Sequence, residues 1–465
     1  MDTSAELRRY ADNIANATNH LIEQLKRVRN DVPNPPFSSY PGHMDMASDM
    51  PRELRRAKQN VLSELKQFQT YLTQPADFIH QVAFQCQILA CLRWLGDFQV
   101  LPCIPLSESA SIKDIADLTS VSEAQLSRIV RTTAMAGFLH EPTPGVVAHT
   151  ALSARFVTKH SFLDAAMFLA ETGIPAALQT SVATRLQGRM GPIETATPYT
   201  VAFNTPCGFL LACEQNPRLR RKWLAFSRCA IYVKENFTAT LSQLDWLHIG
   251  DAHIVDVCAG SKETAVALAE LWPTSHFIIQ MREPASNSVS TVADIEPVVS
   301  LDNMEIDELG GLNSRISFER RSPGSPQTVR DATIYMLRVP TNDLGFLGYP
   351  GVGNLLILPE LWVHLSILKA NRAATFVLLV QVLPDPDSVD VDIEETARLR
   401  DLWKMQLVNG HEIQAGELYN MINGVGDSLG RLVVVNKLES RHSTIVAFII
   451  KYEDFPTVEQ TLEQE

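Results

Sequence analysis

Apolar positions change rhythm along this chain, from helical spacing in the first half to buried alternating runs in the second. Residues 5–28 place Leu7, Ile14, Leu21 and Leu25 near one face of a helix. A second helical stretch covers 52–73. Between them, "DVPNPPFSSYPGHMDMASDMP" (31–51) is rich in proline and small polar residues and reads as a loop or linker. These two helices bury little alone; they form a coil-like cap on the body or an arm that packs on a second subunit. From Phe78 to Val157 the pattern tightens. "QCQILACLRWLGDFQVL" predicts a helix carrying Ile88, Leu89, Leu92 and Leu95. "SIKDIADLTSVSEAQLSRIVRTTAMAGFLHE" predicts helix, turn, helix, with Ser111 and Ser122 as N-caps and Gly137 closing the second helix. Two short strands around a Pro-Gly turn follow in "FLHEPTPGVVAHTALSARFV", which completes a winged-helix domain. Residues 160–245 read as a helical, apolar connector, either a packed layer or the roof of a pocket.

From Ile254 onward strands and helices alternate. "HIVDVC", "HFIIQM", "ISFER", "ATIYMLRVP" and "ATFVLLVQVLP" are strands, with helices at "KETAVALAELW" and around 355–370. The runs "RLVVVNKLE" and "STIVAFIIKYE" are close enough to pair as antiparallel neighbours. The fold class is α/β: a C-terminal, Rossmann-like, doubly wound sheet with an antiparallel edge, preceded by a mainly helical winged-helix domain. The boundaries fall at 1–75 (helical arm and linker), 76–158 (winged helix), 159–245 (connector) and 246–456 (Rossmann-like domain).

Composition narrows the function classes. The chain has 465 residues, 45% hydrophobic and 20% charged, with a formal charge of −13. Such an acidic balance disfavours phosphate-backbone binding. The would-be reading helix (about 122–136) offers Arg128 and Arg131 but also Glu123, so dimerisation or lid formation is expected of the winged helix rather than nucleic-acid binding. The longest apolar runs are too short to span a bilayer, and "MDTSAELRRY" carries no secretory pattern. Seven cysteines without a CxxC pair read as reduced thiols of a cytoplasmic protein.

Chemistry concentrates at "IVDVCAGSKETAVALAELWP" (254–273), a strand, a turn and a helix in the arrangement of a nucleotide site. Of the turn residues Cys258, Ala259, Gly260, Ser261 and Lys262, one is glycine. The domain order, "AFNTPCGFLLACEQNPRLRRKW", "DATIYMLRVPTNDLG" and "NGHEI" resemble the small-molecule O-methyltransferases of plants and fungi over roughly residues 78–452. The resemblance implies S-adenosylmethionine bound near Asp256, Gly260 and Ser261. The departures from the family are specific. Cys258 and Ala259 replace two glycines and Lys262 a third. Met281 stands where the family has a ribose-binding acid, and Glu283 lies two residues on. Arg321 or Ser322 stands at a third acidic position, near the adenine. Asn342 stands at the general-base His, beside a retained Asp343; an amide cannot accept the proton. His411 is a further candidate base without a spacing argument.

Methyl transfer is therefore not expected, no cofactor is required, and S-adenosylmethionine stays open as a non-reacting ligand. The same losses resemble the O-methyltransferase-like pericyclases of fungal natural-product pathways. That resemblance implies dehydration and Alder-ene or hetero-Diels–Alder closure of a pyridone polyketide–peptide intermediate in a homodimer. Under it, Arg338 donates to a pyridone oxygen, or else pairs with Asp343 or another carboxylate as a structural bridge. His160 donates to substrate or assists loss of water, or else is a cap or surface residue. Tyr232 offers a hydroxyl, and Asn342 binds a carbonyl. Met336, His411 and Ile413 line the pocket, Ile413 by shape alone, with ordinary packing as the other reading. No metal is implied. Two alternatives stand beside the pericyclase: a methyltransferase of a polyketide or phenolic product, and a catalytically silent partner protein, which predicts a pocket filled by side chains.

Overall fold

The structure, a computed structural model, describes residues 3–31, 51–190, 196–231, 237–241, 252–259, 262–282, 315–339 and 352–455. The chain divides into two compact units: Met1–Gln179 with Asn216–Ala230, and Thr180–Gln215 with Ile231–Glu465.

The first unit opens with α1 (Thr3–Asp31) and α2 (Arg52–Leu72), which pair as a hairpin. Small buried residues, Ala17 and Ala57, let the helices approach, and Tyr10 meets Phe68 and Tyr71 at ring separations of 5.5 and 5.2 Å. Helix α3 (Pro75–Asp97) starts at a proline, which loses no intrahelical bond there, with Gln74 and Asp77 forming a capping box. After α4 (Val100–Cys103) comes the winged helix: β1 (Ala110–Ser111), α5 (Ile112–Thr119), α6 (Glu123–Met135), β2 (Leu139–His140) and β3 (Val146–His149), the strands ordered β1-β3-β2. Ile112, Ile115, Leu126, Val130, Phe138 and Val147 form its core with Leu95 of α3. Ser111 and Ser122 occupy the N-cap positions as expected, but neither side chain caps its helix. Gly137 ends α6 at φ +71°, in the left-handed region that favours glycine.

Beyond α7 (Ala151–Thr158) the connector supplies α8 (His160–Phe168), a π-helical turn at Leu169–Gly173 and α9 (Ile174–Leu178). Phe168 packs on Trp223 and Phe226 of α13 (Pro217–Phe226), which belongs to the same unit. The helical run His160–Gly188 is long and apolar enough, by length and composition, to cross a membrane. Its Asp164 and Glu171 are held by Arg221 and buried Lys222, a pattern also found in packed helices.

In the second unit, α10 (Thr180–Met190), α11 (Pro198–Ala202), α12 (Phe209–Gln215) and α14 (Phe237–Leu241) accompany the sheet. Among the described residues the sheet has seven strands: β4 (His253–Ala259), β5 (His276–Arg282), β6 (Ile316–Arg321), β7 (Ile334–Arg338), β8 (Thr375–Gln381), β9 (Gly430–Ser440) and β10 (Ser443–Asp454). Their order is β6-β5-β4-β7-β8-β10-β9, with β9 and β10 antiparallel at one edge. The fold class is the doubly wound sheet expected from the alternation of strands and helices.

Burial on both sheet faces explains the near-continuous apolar strands. Ile254, Phe277, Ile279, Met336 and Leu379 face one layer, with α15 (Glu263–Leu271) and α14. Val255, Val257, Tyr335, Leu337, Phe376 and Leu378 face the other, with α16 (Val352–Ala370). Helices α17 (Val391–Val408) and α18 (Ala415–Asn423) connect β8 to the antiparallel edge.

Candidate functional site

Doubly wound sheets place ligands at the carboxyl ends of their strands, and here those ends carry two buried ionic clusters. The first joins neighbouring strands β4 and β7. Asp256 pairs in register with Met336, so Arg338, two residues further, projects from the same face. Arg338 Nε donates to Asp256 Oδ1 at 3.1 Å and Nη2 to Oδ2 at 2.6 Å. The Asp256 side chain is 0% exposed and that of Arg338 9%. The Phe237 ring centroid lies 5.9 Å from the guanidinium carbon. Burial pushes the Asp256 carboxyl above its ordinary range, and the Arg338 charge opposes that rise.

The second cluster bridges β4, β6 and α16. Cys258, where the O-methyltransferase resemblance puts a glycine, keeps a left-handed backbone at φ +55°. A side chain there costs about 1–2 kcal/mol. Cys258 Sγ lies 3.5 Å from Glu360 Oε1 and 3.9 Å from Arg321 Nη1. Arg321 Nη1 donates to both Glu360 oxygens, at 3.0 and 2.9 Å, and Nη2 donates to the Ser325 carbonyl. The Gly324 amide donates to Glu360 Oε1 at 2.6 Å. Gly324 has φ +73°, and a Cβ there would stand 3.1 Å from the Pro359 Cβ, so glycine is what lets this turn close on α16. The strands β4 and β6 flank β5 and so lie about 10 Å apart, a gap these side chains span.

Below them the polar chain continues. Gln280 and Gln327 exchange amide bonds at 2.5 and 2.9 Å. His364 Nδ1 donates to the Glu360 carbonyl at 2.7 Å, so its Nε2 accepts from Gln327 at 3.2 Å. Tyr335 and Phe376 flank the imidazole at 5.0 and 4.9 Å. Burial lowers its pKa to about 4, so the ring is neutral at physiological pH.

Among the described residues, three do not offer what an adenosyl group needs, while Gly260 and Ser261 lie outside them. The Asp256 carboxylate is engaged by Arg338. Half-buried Met281, beside Ala259 in the ladder, offers no carboxylate for ribose hydroxyls. Arg321, one of the two candidates with Ser322 for the position where an acid would face adenine, is turned inward onto Glu360.

The other expected site residues lie elsewhere. Met336 is 1% exposed, inside the apolar layer with Ile254, Ile279 and Leu379. His160, the first residue of α8, is exposed in the first unit. His411 is exposed and bonds Glu417 at 3.1 Å. Ile413 packs on the α16 layer. Tyr232, Gly260, Ser261, Glu283, Asn342 and Asp343 lie outside the described residues. Sequence reasoning missed Glu360, His364, Gln280 and Gln327, and a separate polar center: Glu412 turns inward beside His411 and receives Arg400 and Lys404, each at 2.9 Å. The "NGHEI" motif contained that signal, since Asn409 caps α17 at φ +54° and reverses the chain so that Glu412 faces in.

Comparison with known proteins corrects the pericyclase reading. The chain is 39% identical to the monodictyphenone cluster transcriptional coactivator mdpA of Emericella nidulans, over 98% of this chain and 99% of the relative. It is 45% identical to a transcriptional coactivator of Pseudocercospora fijiensis, over 80% of this chain and 98% of that one. Among solved structures, LepI in complex with SAM (TM-score 0.57, 13% identity, 94% of this chain and 100% of that one) and OxaC (TM-score 0.55, 16% identity, 96% and 100%) share the fold. They place the chain on the methyltransferase-like scaffold, and in LepI that scaffold holds SAM. The pericyclase expectation rested on this likeness, which is one of fold alone; the far nearer relatives carry coactivator names, and they overturn it. Arg338, the intended donor to substrate, is held instead by Asp256, the structural bridge to another carboxylate. A family model described as the trypacidin cluster transcriptional coactivator tpcD N-terminal domain matches residues 4–73. With whole-length identity of this order, the chain belongs to the family of fungal cluster transcriptional coactivators.

Proposed function

We propose that this protein is a catalytically silent coactivator of a fungal natural-product gene cluster, built on a retired O-methyltransferase scaffold. The observation that carries the reading is its near-complete alignment with cluster coactivators. The strand ends are compatible with it, because Asp256 is paired with Arg338 and Arg321 with Glu360. A silent partner needs no open reaction cavity, and Arg321, Glu360 and Cys258 occupy the crevice edge. We propose that S-adenosylmethionine has no role in this chain.

A coactivator works through a DNA-binding activator, not through its own groove contacts. Arg131 on the would-be reading helix is already bonded to Glu141 at 3.1 Å, which fits that division of labour. The protein then acts in the nucleus, as a homodimer, after synthesis in the cytoplasm. The test is deletion of the gene in the producing fungus, with cluster transcripts and metabolites measured together. The reading predicts loss of transcripts for the other cluster genes. Unchanged transcripts with an accumulated intermediate would overturn it. Calorimetric titration with S-adenosylhomocysteine tests the cofactor proposal separately: no binding heat is expected up to millimolar ligand, and micromolar binding would refute it.

A further inference from the structure

The outer face of α2 differs in character from the rest of the chain. Helices α1 and α2 together hold ten Lys and Arg against six Asp and Glu, whereas the whole chain holds 40 against 53. Helix α2 alone carries five basic residues and two acidic ones. Leu54 and Ala57 are buried in the hairpin, and Phe68 meets Tyr10 of α1. Another row points away: Lys58, Leu62, Leu65, Gln69 and Leu72 recur at spacings of four and three, which is one stripe of a helix. Leu62 is 55% exposed, Leu65 44% and Leu72 50%. Exposed Lys58 and Lys66 lie along the same stretch.

Leucines at a, d spacing beside cations form the half-seam that accepts a partner helix. A second copy of α2 in parallel register would bring the same lysines together at the seam, so like charges oppose that self-pairing. A phosphate backbone rewards cations but gains nothing from a leucine row. An amphipathic helix with acidic flanks satisfies both features. The family model, moreover, covers residues 4–73, the segment that presents this face. We infer that the Leu62–Leu65–Leu72 stripe of α2, with Lys58 and Lys66, docks an acidic amphipathic helix of a DNA-binding activator protein. The inference rests on the coactivator reading for the kind of partner; the chemistry comes from the stripe itself.

The experiment places p-benzoylphenylalanine at Leu65 of the full-length chain, expressed in the producing fungus while the cluster is active. Leu118 on α5, 73% exposed, is the control position. Cross-linked peptides are sequenced by mass spectrometry. The expected product, formed at Leu65 and not at Leu118, joins this chain to an Asp/Glu-rich segment of a DNA-binding protein. The double change Lys58→Glu, Lys66→Glu lowers its yield at least fivefold, with the far-UV dichroism of the protein unchanged. Cross-links to a second copy of the chain, to nucleic acid or to a segment without acidic residues overturn the inference, as does their absence or indifference to charge reversal. If gene deletion lowers cluster transcripts but no such cross-link forms, the docking surface fails while the coactivator reading stands. If deletion leaves transcripts unchanged, the coactivator reading itself fails.

Discussion

Replacing Arg338 with alanine isolates the buried ion pair at the carboxyl ends of β4 and β7. Asp256 is fully buried and Arg338 nearly so, and two charge-assisted bonds of 3.1 and 2.6 Å join them. Arg338→Ala leaves a carboxylate in an apolar layer with neither bond, a loss of about 3–5 kcal/mol at neutral pH. The pH dependence has a definite sign. Burial already raises the native Asp256 pKa above its unfolded value, and Arg338 supplies the two influences that lower it. In the variant both influences vanish and the pKa rises further. The native state then binds more protons than the unfolded state, so variant stability is greatest at acid pH and falls as pH rises through the native value. Urea unfolding, followed by tryptophan emission and far-UV dichroism between pH 5 and 8, reads this directly. The double variant Asp256→Leu, Arg338→Met removes both charges and is expected within about 1 kcal/mol of the parent at every pH. A loss for Arg338→Ala below about 0.5 kcal/mol, or one independent of pH, would refute the buried pair.

Other outcomes follow from the same geometry. Because the native His364 pKa of about 4 lies below the ordinary value of 6.5, its contribution is present above pH 6.5 and lost as pH falls toward 4; His364→Phe flattens that part of the acid unfolding profile. Cys258→Val, which forces a β-branched residue into a left-handed backbone, lowers stability by about 2 kcal/mol or more, while Cys258→Gly stays within about 1 kcal/mol, both measured by urea midpoints. Glu360→Gln, which leaves the Arg321 charge buried without its carboxylate, costs about 3 kcal/mol by the same measurement.

The architecture was legible because strands buried on both faces must read as apolar runs, and "HIVDVC" through "STIVAFIIKYE" do so. Helix α17 was not, since its Arg400 is buried on Glu412 and breaks the apolar period. The π-helical turns at Leu169–Gly173 and Ser227–Ile231 have no composition signal. At the site, the loss of glycines was visible, but not that Cys258 would keep the left-handed turn. The Asp256–Arg338 pair spans 82 residues of sequence. Its clue was available: two neighbouring parallel strands whose register puts both side chains on one face. Arg321 showed itself only as a failed acidic position, because its partner Glu360 sits on a helix whose docking the sequence does not state. Enzyme and coactivator share this fold, so the pattern that revealed the scaffold could not separate them.

The most direct test restores a gene-deletion strain with the charge-free Asp256→Leu, Arg338→Met double variant and quantifies cluster transcripts at matched protein level. The account predicts transcripts and metabolites equal to those restored by the parent gene. Normal transcripts with the metabolite missing would show that these residues perform chemistry, and would contradict it.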